Sequence, residues 1–443
     1  MRGAGTGELD FGSTLRRLRD ERGLTLRKLA NMTHYSAGWL SKVETGAGEP
    51  TLELAQACDE ALEAGGELVA LARARLSGST QEGVPRPAQL PAGAGAMFVG
   101  RARELELLDE HLELAKSAGT VMTVAIDGPA GAGKTALAIR WAHRVAHEFP
   151  DGVLFADLRG FVARGKRAEP GGVIDGFLTA LGVPVDGIPS SIEQRAAMMR
   201  SAAAGKRLLV VLDNAASGLQ VRPMLLGAQG CAVVITSRRR MTGLVLRDGA
   251  ARLTIGPMEP AESQAVLTTA IGSQAEDETE AIRALAEQCS HLPLALRVAA
   301  EKVAARASYR VADLVGDLAT KNLDVLTMDE NDFVHEAISS SYRQVDPPAA
   351  RMFRLLGLHP GPDIALGAAA ALAGQPFATV QRLMERLEGV HLVEAKARNT
   401  WHLHELLRAF AARCVLEDEP PESRDAAIQR LTTWFLSNPP ASE

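Results

Sequence analysis

Gly128-Pro129-Ala130-Gly131-Ala132-Gly133-Lys134-Thr135 fits G-x-x-x-x-G-K-[ST] at every fixed position. A loop of this kind curls so that successive N–H groups point inward and cradle phosphate oxygens. The spacing assigns that cradle to Gly128, Gly131, Ala132 and Gly133, with Ala136 in the first turn of the following helix. It brings Lys134 to the β- and γ-phosphates and sets the Thr135 hydroxyl on Mg²⁺. A helix starting at the lysine adds the positive end of its dipole. Further along, Leu208-Leu209-Val210-Val211-Leu212 is an apolar run closed by Asp213. An acid at the end of such a strand is the second Mg²⁺ ligand of a P-loop site, so Lys134 and Asp213 carry any hydrolysis. The next residue is Asn214, where fast ATPases place a carboxylate base, which points to weak ATPase activity at most. A third apolar run, Val233-Val234-Ile235, ends in Thr236-Ser237-Arg238. An arginine there can report a γ-phosphate, but Arg238, Arg239 and Arg240 are consecutive, and the sequence does not say which points inward.

These residues need a sheet to hold them. Apolar runs at Val121–Ile126, Val153–Leu158, Leu208–Leu212, Ala232–Thr236 and Leu253–Ile255 alternate with helical patterns. Near-continuous apolar strands predict a parallel sheet covered on both faces. Upstream, short helical segments share the first block. Thr25–Ala30 and Ser36–Glu44 are joined by a polar turn, Gly46 ends the second, and Thr51 caps a further helix. That is the pattern of a helix-turn-helix bundle. Downstream, the pattern is helical from Glu259, with a short hairpin expected from His391–Glu394 and Thr400–Leu403, as in a winged helix. A last amphipathic helix is expected over Ala426–Leu436. The expected fold class is multidomain α/β plus α. Its parts are a helix-turn-helix at 1–76, a linker at 77–97, a P-loop domain at 98–257, a helical domain at 258–332, a winged helix at 333–416 and a C-terminal helix at 417–443.

Composition agrees with a chain of about three domains, at about 150 residues each. Hydrophobic residues make up 46%, but aromatics only 4%, so the cores must be built from Ala, Leu and Val. No apolar run approaches the ~20 residues of a membrane span, and the first residues lack an export signal, so a cytoplasmic location is expected. Cys58, Cys231, Cys289 and Cys414 share no metal-ligand spacing and read as buried thiols. The net charge of −6 neither announces nor excludes nucleic acid, since only the local field of a small DNA-reading module matters.

The order of motifs resembles the NB-ARC branch of the STAND signal-transduction ATPases. Phe98-Val99-Gly100-Arg101, Arg238, His291-Leu292-Pro293-Leu294 and Leu403-His404-Glu405 stand where that family has four of its motifs. The resemblance implies that Val99 and Arg101 wrap the adenine, Pro293 packs at the base, Arg238 senses the γ-phosphate, and His404 contacts the ADP β-phosphate. Two positions depart from the family: His291 replaces a glycine, and Glu405 replaces an aspartate. The first block resembles the phage-repressor-like (XRE) helix-turn-helix family, on Leu40-Ser41-Lys42-Val43-Glu44-x-Gly46. That implies a recognition helix with Ser36 as N-cap and Ala37, Gly38, Ser41 and Lys42 facing DNA. Arg16, Arg17, Arg19, Arg27 and Lys28 are candidate phosphate contacts.

Together the two resemblances imply a bacterial pathway-specific transcriptional regulator, switched by ATP and ADP with Mg²⁺, that self-associates on its operator. Two alternatives remain open at this stage. One is a STAND signalling or defence NTPase whose first module binds protein. The other is a high-turnover ATPase driving mechanical work.

Overall fold

The computed structural model describes residues 11–46, 48, 50–72, 86–93, 95, 98–161, 167–306, 308–321 and 333–438. Its contacts fall into two units, Met1–Pro85 and Arg86–Glu443.

The first unit holds α1 (Phe11–Glu21), α2 (Leu26–Thr33), α3 (Ala37–Glu44), α4 (Leu52–Ala61) and α5 (residues 67–72). Thr25, Ser36 and Thr51 cap the second to fourth helices, each hydroxyl accepting a backbone N–H three residues on. Such caps contribute about 1 kcal/mol each. His34 closes α2 in the left-handed region, at φ 61°, which turns the chain into α3. Phe11, Leu15, Leu29, Leu40, Leu54 and Leu62 fill the core. Gly12 lies so close to the end of α3 that a Cβ would stand 2.5 Å from the Val43 carbonyl oxygen.

The second unit begins with a five-stranded, all-parallel sheet of order β2-β3-β4-β1-β5. The strands are β1 (Met122–Asp127), β2 (Gly152–Asp157), β3 (Leu208–Ala215), β4 (Ala232–Ser237) and β5 (Ala251–Thr254). α6 (Ala102–Ala118) and α7 (Lys134–Val145) cover one face. α8 (Pro170–Ala180) and α9 (Ile192–Ala203) cover the other. Short helices α10 (Gly218–Val221) and α11 (Thr242–Asp248) follow β3 and β4. The central strands β1, β3 and β4 are buried on both sides, which explains their unbroken apolar runs. Part of the stretch expected as linker belongs to this unit: Pro87 and Gln89 hydrogen-bond Val153, beside β2. Most of the remaining stretch lies outside the described residues.

Helices α12 (Pro260–Ile271), α13 (Thr279–Gln288), α14 (Pro293–Ala304) and α15 (Val311–Lys321) come next. They are followed by α16 (Phe333–Tyr342), α17 (Pro347–Leu356), β6 (Asp363–Ala365), α18 (Leu366–Ala373), α19 (Phe377–Glu388), β7 (Glu394–Ala397) and β8 (Thr400–His402). α20 (Glu405–Asp418) and α21 (Pro421–Ser437) close the described chain. A single apolar cluster runs through these helices from Met258 to Leu431. The hairpin is displaced from expectation. Leu392 and Val393 are buried in the turn after α19, and the first hairpin strand starts only at Glu394. A third strand, β6, pairs with β8 and completes a small antiparallel sheet. The fold is thus multidomain α/β plus α. Among the described residues no helix is long and apolar enough to cross a membrane, and all four cysteines are free and buried.

Candidate functional site

The strand order decides what stands beside the phosphate loop. β4 is interposed between β1, which leads into the loop, and β3, which ends in Asp213. The carboxyl ends of three strands therefore converge on one cavity of about 580 Å³, in the place where open α/β sheets bind ligands.

The loop is shaped by glycine. Gly128 has φ 154°, and a Cβ on it would be driven into the Ile255 carbonyl oxygen. Gly131 and Gly133, at φ 78° and 89°, face the first turn of α14. The Leu294 N–H donates to the Gly131 oxygen at 3.2 Å. Pro293, first residue of α14, stands over Gly133. The His-Leu-Pro-Leu segment is thus bonded directly to the phosphate loop. Ser290 and His291 both adopt positive φ, 51° and 52°. A glycine would sit there without strain; here the His291 ring hydrogen-bonds Ser263 Oγ at 3.0 Å and its carbonyl accepts from Met258 N–H.

Lys134 opens α7 and is buried. Its ammonium donates to the Gly128 and Pro129 carbonyls at 2.9 and 2.7 Å. Burial, and then the nearby Arg238 cation, push its pKa down to about 7. Asp213 accepts from Thr135 Oγ1 at 2.7 Å and from Thr236 Oγ1 at 2.6 Å. Both hydroxyls use Oδ1, which leaves Oδ2 turned to no protein donor among the described residues. Burial raises the Asp213 pKa above the ordinary carboxylate value, and the two hydroxyls act against that rise. The residues fit a polyphosphate with its cation: a glycine-shaped loop at a helix start, a buried ammonium, and a hydroxyl–carboxylate pair. Asn214, at φ 57°, donates its N–H to Thr236 Oγ1 and presents no carboxylate.

Val99 and Ala136 line the same cavity, with Ile139, Met258, Val266 and Leu294 as further apolar wall. Arg101 reaches it too, but its guanidinium is committed. It donates to Glu104 at 2.7 Å, to the Ala132 oxygen at 3.2 Å and to the Gly256 oxygen at 2.5 Å. Through these bonds it ties the loop at Ala132 to the segment after β5 at Gly256. Arg238 is the inward member of the arginine run. It donates to the Ala337 carbonyl at 2.8 Å and to the Ser340 hydroxyl, both on α16, and its cation lies over the Phe161 ring. Burial lowers its pKa.

His404 is placed elsewhere. It precedes α20, does not line the cavity, and bonds Glu394 Oε2 at 3.1 Å, so the expected β-phosphate contact is not formed in this arrangement. The hairpin shift accounts for this, because β7 carries Glu394 alongside the ring. The histidine that does approach β1 is His391, with Nε2 3.5 Å from the fully buried Asp127. Asp127 also accepts from Thr254 at 2.7 Å and stands 3.5 Å from Arg252. No motif in the sequence marks Asp127, Thr236 or His391 for these contacts. An acid closing an apolar strand directly before the loop was the available sign for the first; the others depend on strand order and on the hairpin's position.

In the helix-turn-helix unit, Ser36, Gly38 and Lys42 are exposed, Ala37 and Ser41 are half-buried, and Trp39 is also exposed. Arg19, expected as a phosphate contact, is instead buried. It bonds both oxygens of Glu44, at 2.6 and 3.0 Å, and the Leu24 carbonyl. Arg17 pairs with Glu21 and Glu67. Arg16, Arg27 and Lys28 stay exposed.

Residues 10–72 match a family of helix-turn-helix domains. The chain is 40% identical over 379 residues to the Regulatory protein AfsR of Streptomyces coelicolor, covering 83% of this chain and 38% of that protein. It is 40% identical over 356 residues to the Regulatory protein AfsR of Streptomyces griseus, covering 80% and 36%. The chain therefore spans less than two-fifths of these relatives. Among solved structures, a STAND ATPase with a tetratricopeptide repeat sensor from Pyrococcus horikoshii is 16% identical over 81% of this chain and 48% of that one, at a TM-score of 0.36. The chain thus carries a helix-turn-helix domain and a P-loop sheet, and most of its length is similar to part of two streptomycete regulatory proteins.

Proposed function

We propose that the chain is a DNA-binding transcriptional regulator of the STAND class whose state is set by ADP and ATP with Mg²⁺. The observation that carries this reading is the double attachment of Arg238. It lines the phosphate cavity, and its guanidinium is spent on the Ala337 carbonyl and the Ser340 hydroxyl of α16. A γ-phosphate is a stronger acceptor for a guanidinium than a carbonyl and a hydroxyl. ATP therefore competes with α16 for Arg238, while ADP leaves that contact in place. Loss of the contact loosens the winged-helix segment from the sheet, and opened copies associate on an operator. Several weakly discriminating readers then bind together and gain affinity by multivalency. Hydrolysis resets the state slowly, because Asn214 stands where a base would be. The family's His404–phosphate tie is not needed in this reading.

A second reading has one observation in its favour. Arg17 and Arg19 are engaged in intramolecular ion pairs, which thins the basic face and suits a module that binds protein. Fluorescence polarisation of the full chain on genomic fragments, loaded with ADP or with ATP, tests both. The expected result is tighter binding with ATP and a steep loss of affinity with salt. Equal affinity in the two states removes the switch. Binding that is absent or salt-independent removes DNA as the partner and leaves the second reading.

A further inference from the structure

Arg238, Arg239 and Arg240 are consecutive but serve two different cavities. Arg238 faces the phosphate loop, whereas Arg239 and Arg240 line a second cavity of about 770 Å³. This one opens between the β4–α11 end of the sheet and the segments before α17 and after α19. Its lining contains five arginines, Arg222, Arg239, Arg240, Arg247 and Arg386, against a single acid, Asp346.

We propose that this cavity is a second anion site, separate from the P-loop, that takes a small molecule bearing a di- or triphosphate group. Three of the arginines are neutralised in place: Arg222 by Asp248 at 2.9 Å, Arg240 by Glu388 at 2.6 Å, and Arg386 by Asp346. Those pairs fix three guanidinium groups around the cavity without leaving net charge. Among the described residues Arg239 and Arg247 have no acidic partner and no side-chain hydrogen bond, and Arg239 is half-buried. Two cations without an acidic partner beside three ordered guanidinium groups give the cavity a positive field that favours an anion. The planar fork of arginine favours phosphate oxygens, which it binds in pairs. The size suits a nucleotide-sized ligand, since such sites run from about 300 to 1,000 Å³.

The cavity also lies on a seam. The Arg240 N–H donates to the Gly389 oxygen at 3.1 Å, so the sheet and the turn after α19 already touch there. A bound polyphosphate would reach Arg239 and Arg247 on the sheet side and Arg386 on the winged-helix side, and would hold the two together.

The test is a calorimetric titration of inorganic tripolyphosphate into the full chain, saturated with ADP and in about 150 mM salt to damp non-specific attraction. The expected result is one further equivalent bound. Arg239→Glu with Arg247→Glu should weaken it roughly tenfold or more, with ADP binding unchanged. Among the described residues neither side chain has a partner to lose, and the single variant Arg247→Gln, at an exposed position, repeats the test with the least risk to folding. Lys134→Ala should leave this second equivalent intact, which separates it from the P-loop whatever nucleotide that loop prefers. No heat in the ADP-saturated chain, the same titration in both arginine variants, or an equal response to sulfate would overturn the proposal.

Discussion

In the proposed regulator the phosphate loop and α3 each offer a helix start to a phosphate-bearing partner, and they are built in opposite ways. At the loop, the groups that would meet the ligand are already held. Lys134 is buried and bonded, Asp213 is fixed by two hydroxyls, and Gly131 is bonded to Leu294. On α3, Gly38 and Lys42 are exposed, and the Ser36 hydroxyl is spent on the Trp39 N–H. A preformed site gives affinity to one copy, because little ordering remains to be done on binding. A bare helix face gives a weak contact that gains strength by repetition. A nucleotide-gated assembly needs that division: tight reading of the nucleotide by each copy, and weak reading of DNA until copies gather.

The comparison breaks first at Gly128. Gly128→Ala should cost roughly 3 kcal/mol of stability, because the new methyl meets the Ile255 carbonyl at a φ that alanine avoids. A thermal melt with an unchanged midpoint would mean that the loop yields and is not preformed. Lys134→Ala should weaken nucleotide binding by about a hundredfold, roughly 3 kcal/mol, measured by calorimetry. The depressed Lys134 pKa sharpens the same point through pH. The folded value is about 7 against an ordinary 10.5, so the unfolded chain holds the extra proton between those limits. The ligand-free chain should therefore gain stability from this group as pH rises from about 7 towards 10. Nucleotide binding at pH 8 should take up a proton, seen as a dependence of the binding heat on buffer ionisation enthalpy. No buffer dependence would place the ammonium outside the cradle.

On the other side of the comparison, Lys42→Ala should leave the melting temperature unchanged. It should cost about 1 kcal/mol of DNA affinity and lower the salt slope by about 0.9. A fall in stability would mean that the recognition face is also structural. The smallest effect is expected at His291→Gly. Relief of left-handed strain, about 1 kcal/mol, is offset by loss of the Ser263 hydrogen bond, also about 1 kcal/mol. Denaturant midpoints of this variant should stay near those of the parent chain.

Local pattern carried the strands, the phosphate loop and the capped helices into view, because each depends on neighbours within a few residues. The apolar runs of β1 and β4 needed no partner to be recognised, and neither did Ser36 or Thr51 as caps. What escaped depends on distant pairing. Arg19 looks like any surface arginine until Glu44 closes on it. Thr236 gains its bond to Asp213 only because β4 lies beside β3. β7 was misplaced because Leu392 and Val393 are apolar yet belong to a turn, whereas the strand itself, Glu394–Ala397, is exposed and its apolar positions are only alanines. His404 was assigned through a family motif, and its partner in this chain, Glu394, is set by that hairpin.

Gly12 has a consequence for engineering. The end of α3 is stopped by the backbone of α1 at a distance that admits a hydrogen atom but no methyl group. Leu40 and Val43 fasten the inner side of the same helix. Its tilt is therefore fixed from its buried side. If α3 reads DNA as proposed, the letters on its outer side, at 38 and 42 above all, can be rewritten like type in a frame, with operator preference changing and the frame left as it was.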